Sequence, residues 1–211
     1  ASDWSSDVCS SDLVRLPGEN KGKITGIVSK EFLTVVGNGL DSIRELILKI
    51  PRANLQMPDL KRKYGEYLNS ILENGVEFIL VPFGSHTRGA KFVDITDQLN
   101  TNLTNTINSI CTQIPGFFYG RLDVRYASFE ELCAGEKLSI IEINGAGSEP
   151  THIYDPRHSI IFAWKEIIKH WQLMYKISVI NRKNGCPYLS FNEGTAMVNA
   201  NKTMEAQLKL I

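Results

Sequence analysis

The spacing of apolar and polar residues predicts strands and helices that mix without strict alternation. Apolar residues among turn formers at 23–36 predict two short strands that end at a Gly-Asn-Gly turn. The same periodicities predict strands at 77–81, 117–126 and 137–144, and helices at 42–50, 58–73, 97–114 and 128–135. A short connection joins the last two predicted strands, so we expect them to pair antiparallel. The pattern favours an α+β fold with a mainly antiparallel sheet flanked by helices.

A long amphipathic helix is predicted after Pro156. Its apolar face is a stripe of large side chains at helical spacing, namely Ile160, Ile161, Trp164, Ile167, Ile168, Trp171, Met174 and Tyr175. The aromatic members are expected to pack in the core rather than to bind a cofactor. His158 and His170 are expected on the helix surface, and the tail at 181–211 is predicted to be only weakly helical.

The first thirteen residues do not have the character of a folded segment. They are rich in Ser and Asp, have no hydrophobic period, and lack the basic start and apolar run of a signal peptide. Residues 3–13 look like the translation of a sequencing-adapter oligonucleotide. We therefore divide the chain into an adapter-like segment (1–13), a main lobe (14–180) and a tail (181–211), and we expect part of the natural N-terminal sequence to be missing.

Composition excludes several classes of protein. Of the 211 residues, 43% are apolar and 22% charged, as in a soluble globular chain, and no run approaches the roughly 20 apolar residues of a membrane helix. Residues 1–13 hold three of the 23 acidic residues and none of the 23 basic ones, which leaves about +3 (23 − 20) for the rest. That charge does not indicate a nucleic-acid surface. The cysteines lack metal-ligand spacing, which favours reduced thiols and a cytoplasmic protein.

Polar side chains are brought together on the last two predicted strands, because side chains alternate between the two faces of a strand. On the first of these strands Arg121, Asp123 and Arg125 share one face. On the second, Glu142 and Asn144 share one face. Antiparallel pairing would therefore collect all five in one patch.

Such a patch has two interpretations. Two carboxylates and an amide oxygen form the hard oxygen set that suits Mg²⁺ bound together with substrate phosphates. An arginine on the same face can stabilise a transferring phosphoryl group or a developing oxyanion. The alternative is a solvated strand face on which the carboxylates only pair with the arginines.

Four short motifs in this region suggest a family. In chain order they are Gly-Arg-Leu-Asp at 120–123, Glu-Ile-Asn-Gly at 142–145, Thr-His at 151–152 and Asp-Pro at 155–156. Their order resembles the C-terminal part of ATP-grasp carboxylate–amine ligases, the superfamily of D-alanine–D-alanine ligase. The resemblance covers 114–156, and residues 17–50 look like the segment after the hinge in a D-alanine ligase-like branch.

The resemblance implies an ATP- and Mg²⁺-dependent ligase that phosphorylates a carboxylate, after which an amine attacks the acyl-phosphate. It implies that Asp123, Glu142 and Asn144 bind one or two Mg²⁺ ions, for which Mn²⁺ can substitute. It also implies that Arg121 stabilises the acyl-phosphate and the tetrahedral intermediate, and that the loop at 145–152 closes over the substrate. The expected partners are a small-molecule carboxylate and an amine, without nucleic acid or membrane, and a homodimer is one option for the assembly.

Further residues are candidates for substrate or phosphate contacts. His86, Arg88 and Lys91 lie in or beside a glycine-bracketed loop, where they can clamp a phosphate or carboxylate or form an ordinary exposed basic loop. The other candidates lie near the motifs and are Arg125, Ser148, Glu149 and His152. For His152 the alternative is a structural hydrogen bond, and for Glu149 it is plain solvation.

Two other functions stay open from the sequence. An ATP-grasp kinase that phosphorylates an alcohol would use the same residues, and a non-catalytic lobe would bind only nucleotide or a partner. In ATP-grasp enzymes a preceding lobe carries phosphate-facing lysines, a glycine-rich loop and an acidic hinge. No such segment is found before Val14. We therefore expect this fragment to have little or no activity by itself.

Overall fold

The strands form one five-stranded sheet and one separate two-stranded sheet in the computed structural model, which describes residues 7–208. The strands are β1 (Asp7–Val14), β2 (Lys23–Glu31), β3 (Leu33–Val36), β4 (Glu77–Val81), β5 (Lys91–Asp94), β6 (Tyr119–Tyr126) and β7 (Leu138–Asn144). The large sheet has the order β5-β2-β1-β6-β7, and each neighbouring pair among the described strands is antiparallel. The predicted α+β fold with a mainly antiparallel sheet flanked by helices is confirmed.

Seven α-helices and four short 3₁₀-helices lie within the described residues. The α-helices are α1 (Ile43–Leu48), α2 (Pro51–Asn54), α3 (Met57–Tyr64), α4 (Thr101–Thr112), α5 (Phe129–Ala134), α6 (Ile160–Lys183) and α7 (Phe191–Leu208). The 3₁₀-helices are Gly65–Asn69, His86–Arg88, Thr96–Gln98 and Thr151–Tyr154. The single helix predicted at 58–73 is wrong, because Gly65 adopts a φ of +53° and ends α3.

The main core lies between one face of the large sheet and helices α4 and α5. Its buried residues are Cys9, Leu13, Ile24, Ile27, Leu103, Ile107, Cys111, Leu122, Val124, Tyr126 and Leu132. Leu122 and Val124 face this core, as alternation along the strand predicts. The opposite face of β6 is consequently free to carry polar side chains.

A second core joins the two-stranded sheet of β3 and β4 to the first three helices. Its buried members include Val35 from β3, Ile43 and Ile47 from α1, and Leu60 from α3. Ser42 caps α1 and forms a capping box with Glu45, which explains why the helix begins where the sequence predicts. This unit leads into the loop between β4 and β5 that borders the candidate site.

Strand β1 consists mostly of the segment that looks like a translated adapter. It lies in the centre of the large sheet and pairs with β2 on one side and β6 on the other. Cys9 and Leu13 are fully buried in the main core. The origin of the segment stays a prediction, but the sheet that carries the candidate site is built around this strand.

Helix α6 packs with a different face from the one expected. Ala163, His170 and Ile177 are buried against the protein, whereas Trp164 and Trp171 are 60% and 63% exposed. The predictions that the aromatic stripe packs in the core and that His170 lies on the surface are both wrong. The physical reason is that α6 is apolar on two faces, and periodicity alone does not tell which of them the sheet covers. No helix within residues 7–208 combines the length and apolarity needed to cross a membrane.

Candidate functional site

The pairing register of strands β6 and β7 determines which side chains lie at the bottom of the candidate site. Arg121 lies opposite Asn144, and Asp123 lies opposite Glu142. Directly opposed residues in an antiparallel pair have Cβ atoms about 4.5–5.5 Å apart, so the four side chains form one compact patch. The antiparallel pairing expected from the sequence is confirmed. A register shift follows between Asp123 and Val124, which ends the regular patch at this point.

Asp123 is a buried carboxylate with three donors. Its Oδ2 accepts from Lys30 Nζ at 2.6 Å, and its Oδ1 accepts from Ser10 Oγ at 2.7 Å and Arg121 Nε at 3.1 Å. The Asp123 side chain is only 10% exposed, and that of Lys30 is 5% exposed. A buried carboxylate requires such compensation, because burial of an unpaired charge is very costly.

Asn144 links the other two members of the patch. In the amide orientation that satisfies both neighbours, its nitrogen donates to Glu142 Oε1 at 3.0 Å and its oxygen accepts from the Arg121 guanidinium at 3.1 Å. Glu142 itself is exposed. The two carboxylates of the patch therefore differ in exposure, because that of Asp123 is buried and that of Glu142 is solvated.

Lys30 was not singled out by sequence reasoning, although it holds the central carboxylate. It lies in β2, 93 residues from Asp123, and β1 separates their strands in the sheet. Its ammonium also stands 5.3 Å from the centre of the Phe92 ring. No clear indication of this role stands in the sequence, because Lys30 lies between Ser29 and Glu31 near the end of β2, as an ordinary polar strand end would.

An open cavity of about 330 Å³ lies over this patch. Its lining residues are Lys30, Gly84, Ser85, His86, Thr87, Phe92, Arg121, Asp123, Glu142, Glu149, Thr151 and Tyr154. One wall is aromatic, because His86 packs against Tyr154 and Phe92 with ring centres 4.9 and 5.4 Å apart. Burial lowers the pKa of His86, and the nearby Arg52 charge lowers that pKa further, so the ring is neutral at physiological pH.

The donor chemistry of the patch fits a magnesium ion that brings phosphate oxygens with it. Asp123, Glu142 and Asn144 supply only hard oxygen ligands, and Mg²⁺ in proteins commonly takes one or two carboxylates plus substrate phosphates. Asp123 already accepts three hydrogen bonds, and a carboxylate has about four lone-pair positions. The exposed carboxylate of Glu142 is thus the most accessible of these oxygen ligands, whereas the Asp123 carboxylate, which would be the second, is bound by the Lys30 ammonium.

The candidate arginines and lysine other than Arg121 lie outside this cavity. Arg88 is exposed, and its guanidinium carbon stands 5.3 Å from the centre of the Phe83 ring. Lys91 pairs with Glu31 at 3.0 Å on the surface. Arg125 is exposed beyond the register shift. Of the basic loop, the structure brings only His86 to the patch.

Residues of the loop after β7 lie in two different places. Glu149 lines the cavity and accepts a hydrogen bond from the Tyr154 hydroxyl. Burial, together with the Glu149 charge, raises the pKa of Tyr154 to about 12, so this hydroxyl keeps its proton. Ser148 lines a separate pocket, where its hydroxyl donates to the Gly145 carbonyl at 2.8 Å.

His152 is buried away from the patch. Its Nδ1 lies 3.7 Å from Asp12 Oδ2, and its Nε2 lies 3.4 Å from Glu166 Oε2. Burial acts to lower the pKa of His152, but the surrounding carboxylates, Asp12 foremost, outweigh burial and raise it. Through these charged contacts His152 links the 3₁₀-helix Thr151–Tyr154 to β1 and α6.

Comparison with solved structures gives a distant likeness to a bifunctional glutathione synthetase from Pasteurella multocida. The two chains are 16% identical, and the TM-score is 0.45. The likeness covers 70% of this chain but only 21% of the synthetase, so this chain spans about a fifth of that protein's length. A likeness of this size does not assign a family. No protein-family model and no curated protein matches the sequence.

Proposed function

We propose that this chain is part of an ATP- and Mg²⁺-dependent carboxylate–amine ligase of the ATP-grasp type, which works through an acyl-phosphate. The observation that carries the proposal is the pairing of Arg121 with Asn144 and of Asp123 with Glu142 at the floor of an open cavity. These are the residues of the motifs that resemble the ATP-grasp ligases. Their side chains meet in space, as a shared site requires.

Asp123, Glu142 and Asn144 would hold the magnesium. When bound, Mg²⁺ neutralises charge on the β- and γ-phosphates and orients the group to be transferred. Glu142 is exposed and available, and Asn144 contacts both Glu142 and Arg121. These contacts support a site in which the metal ligands and the arginine are aligned before substrate enters.

Arg121 is positioned to act on the reacting group. Its Nε is held by Asp123, and one terminal nitrogen is held by Asn144, so the guanidinium plane is fixed at the cavity floor. A fixed cation stabilises developing negative charge without the cost of reorienting at the moment of reaction. We assign Arg121 to the acyl-phosphate and to the oxyanion of the tetrahedral intermediate.

Substrate would occupy the space between the patch and the aromatic wall. Glu149 and the backbone of the loop at 84–87 supply polar groups there, while His86 and Tyr154 supply flat apolar surface. This combination suits a small carboxylate with an apolar portion and an amine that pairs with Glu149.

Direct cation binding tests the proposal on the chain as it exists. We would titrate Mn²⁺ by electron paramagnetic resonance, with and without a non-hydrolysable ATP analogue. Glu142→Gln should weaken Mn²⁺ binding about tenfold or more, which corresponds to ~1.4 kcal/mol or more. Glu136→Gln, an exposed carboxylate in the turn after α5, is the matched control and should bind like the wild type. Equal affinity in all three proteins would remove Glu142 from the metal site.

Restoring an upstream lobe separates the remaining alternatives. A ligase would release ADP and phosphate and make an amide, whereas a kinase would leave the phosphate on its product. A non-catalytic lobe would show no turnover with any carboxylate and amine. An upstream coding sequence without phosphate-facing lysines and a glycine-rich loop would refute the ATP-grasp assignment.

A further inference from the structure

A buried group of titratable side chains lies behind one wall of the candidate cavity. Asp12, His152 and His170 are 4%, 3% and 1% exposed, and the Glu166 side chain is 15% exposed. The His152 ring stands between two carboxylates, with Nδ1 3.7 Å from Asp12 Oδ2 and Nε2 3.4 Å from Glu166 Oε2. Among residues 7–208, neither Asp12 Oδ2 nor His152 Nδ1 has a hydrogen-bond partner. These two side chains are therefore held together by charge.

The backbone of the sheet leaves room for this ring. Asp12 in β1 lies directly opposite Gly26 in β2, and a Cβ on Gly26 would stand 2.0 Å from His152 Nδ1. Any larger residue at this position would displace the ring from Asp12. The Phe162 ring of α6 packs edge-on against the imidazole, with ring centres 5.9 Å apart. The imidazole is thus enclosed between the sheet and α6.

The protonation state of His152 decides how many of its two charged contacts are attractive. An imidazolium carries an N–H on both ring nitrogens, whereas a neutral imidazole carries one N–H and one lone pair. With a carboxylate beside each nitrogen, only the charged ring can donate towards both. Loss of the proton turns one contact into a lone pair that faces a carboxylate oxygen. Asp12 and Glu166 also lose the cation that they share, and an uncompensated buried charge is costly.

The surrounding charges favour the protonated ring. Burial lowers the pKa of His152, but Asp12 on β1, Asp94 on β5 and Glu166 on α6 outweigh burial and raise it. Burial raises the pKa of Asp12, although His152 and Arg121 act in the opposite direction. The cations on the far side of the two carboxylates are Arg121, which is paired across the sheet with Asp12, and Lys169, which lies 2.9 Å from Glu166.

His170 is the second histidine of this group, and it stays neutral. Burial, followed by the charge of His152, lowers the pKa of His170 to about 4. Its Nδ1 lies 2.9 Å from the Tyr119 hydroxyl, whose pKa burial raises to about 12. Within this group, His152 is therefore the side chain that changes charge near neutral pH.

His152 belongs to a segment that lines the candidate cavity. Glu149, Thr151 and Tyr154 of this wall segment (149–154) face the cavity, and the Tyr154 hydroxyl donates to Glu149. We propose that His152 is a positioning residue for the site: its protonated imidazole clamps the wall segment onto β1 and α6, and loss of the proton releases that wall. The consequence for catalysis rests on the proposed function, but the clamp itself requires neither metal nor nucleotide.

The sign of the pH dependence follows from the cluster. The clamp is complete below the unperturbed histidine pKa of about 6.5 and is lost as the pH rises through the raised pKa of the folded protein. On the acid side it is limited by protonation of Asp12. Each unit that separates the pKa of His152 in the clamped and released forms changes the opening equilibrium tenfold.

Amide hydrogen exchange measured by NMR tests the clamp on the whole chain without ligand. The Ile153 and Asp155 amides donate to the carbonyls of Pro150 and His152, so they report on the wall segment. After correction for chemical exchange, their protection should fall about tenfold or more between pH 6 and pH 9, with the midpoint at the pKa of His152 measured on labelled histidine. The Leu132 amide of α5 should stay protected. Parallel loss at Leu132, or unchanged protection at both wall amides while His152 titrates, would overturn the proposal.

Two variants separate the clamp from a purely structural contact. His152→Gln has a neutral side chain and should give low protection of the wall segment at every pH. Glu166→Gln keeps the histidine but removes one carboxylate, so the transition should move to lower pH; Glu166 lies outside the adapter-like segment, so this effect does not depend on the origin of β1. Glu136→Gln, an exposed carboxylate after α5, should leave the midpoint unchanged. If His152→Gln does not fold, Glu166→Gln decides, and an unmoved midpoint in that variant overturns the proposal. Failure of Mn²⁺ to bind would refute the proposed function and leave this result unaffected.

Discussion

The buried ion pair between Lys30 and Asp123 leads to a quantitative prediction for Lys30→Met. The two side chains are 5% and 10% exposed, and Lys30 Nζ stands 2.6 Å from Asp123 Oδ2. Methionine keeps most of the lysine volume but removes the ammonium. The Asp123 carboxylate would then stay buried with only Arg121 and Ser10 as donors.

The magnitude follows from the partners that remain. Breaking a buried pair by removing one member costs about 3–5 kcal/mol. Since Arg121 and Ser10 still bind the carboxylate, we expect the lower end of that range, ~3 kcal/mol, for Lys30→Met. Each kcal/mol lowers the melting temperature of a domain of this size by roughly 2–4 °C, so the expected decrease is roughly 6–12 °C.

A double-mutant cycle measured by urea unfolding isolates the pair. Asp123→Asn removes the charge that Lys30 compensates, so the double variant should be more stable than the sum of the two single effects predicts, with a coupling of about 2 kcal/mol. Lys91→Met is the matched control, because Lys91 pairs with Glu31 on the surface, where its side chain is 43% exposed. Surface pairs contribute about 0–1 kcal/mol.

Two results would refute this reasoning. One is a Lys30→Met variant no less stable than Lys91→Met, and the other is strict additivity in the cycle.

A second readout connects the pair to the proposed metal site. If the Lys30 ammonium competes with a cation for Asp123, Lys30→Met should bind Mn²⁺ more tightly than the wild type, and unchanged or weaker binding would exclude that competition.

Three further predictions concern the surroundings of the site. Hydrogen bonds from Arg157 hold the pKa of Asp155 far below its usual range. The folding stability that Asp155 contributes is therefore complete above the unfolded-state pKa of about 4, and it is lost as the pH falls towards the lower pKa of the folded state. Asp155→Asn should cost ~2 kcal/mol at neutral pH and flatten the acid decline in urea unfolding; an unchanged acid profile would contradict this role. A Cβ on Gly120 would stand 2.3 Å from a backbone oxygen of β7. Gly120→Ala should therefore lower the free energy of unfolding by about 1–3 kcal/mol and weaken Mn²⁺ binding. Full Mn²⁺ affinity in this variant would argue against the cross-strand site. The Tyr119 hydroxyl lies 2.9 Å from buried His170 Nδ1, so Tyr119→Phe should cost about 1–3 kcal/mol in thermal unfolding, and a neutral result would mean that the bond contributes nothing.

Local signals explain what could be predicted from the sequence. Ser128 and Gly135 bound α5 as expected, because a serine side chain caps the first turn and a glycine adopts the positive φ of +77° after the last one. Alternation placed Asp123 and Glu142 on one face of their strands, and a short connection implied that they pair. These inferences rest on residues close together in the chain.

The predictions that were wrong or missed have a different cause. Each depends on which elements, far apart along the chain, pack together. The periodicity of α6 was read correctly as amphipathic, yet the covered face is the one with Ala163 and His170 rather than Trp164 and Trp171. Both faces are apolar, and only the position of the sheet decides between them. The central place of β1 could not be predicted either, because its Ser- and Asp-rich composition gives little strand signal.

Lys30 changes the interpretation of the polar patch itself. From the sequence, neighbouring carboxylates called for a metal or for arginine partners. In the structure a lysine from two strands away, together with Arg121, already balances Asp123. The patch is therefore stable without an ion, and a metal has to compete for its buried carboxylate rather than fill an empty cage. In the proposed enzyme, Asp123, Glu142 and Asn144 would hold the Mg²⁺, which would neutralise charge on the phosphates, and Lys30, which lies beside Asp123 in the same cavity, would supply a further positive charge for a phosphate.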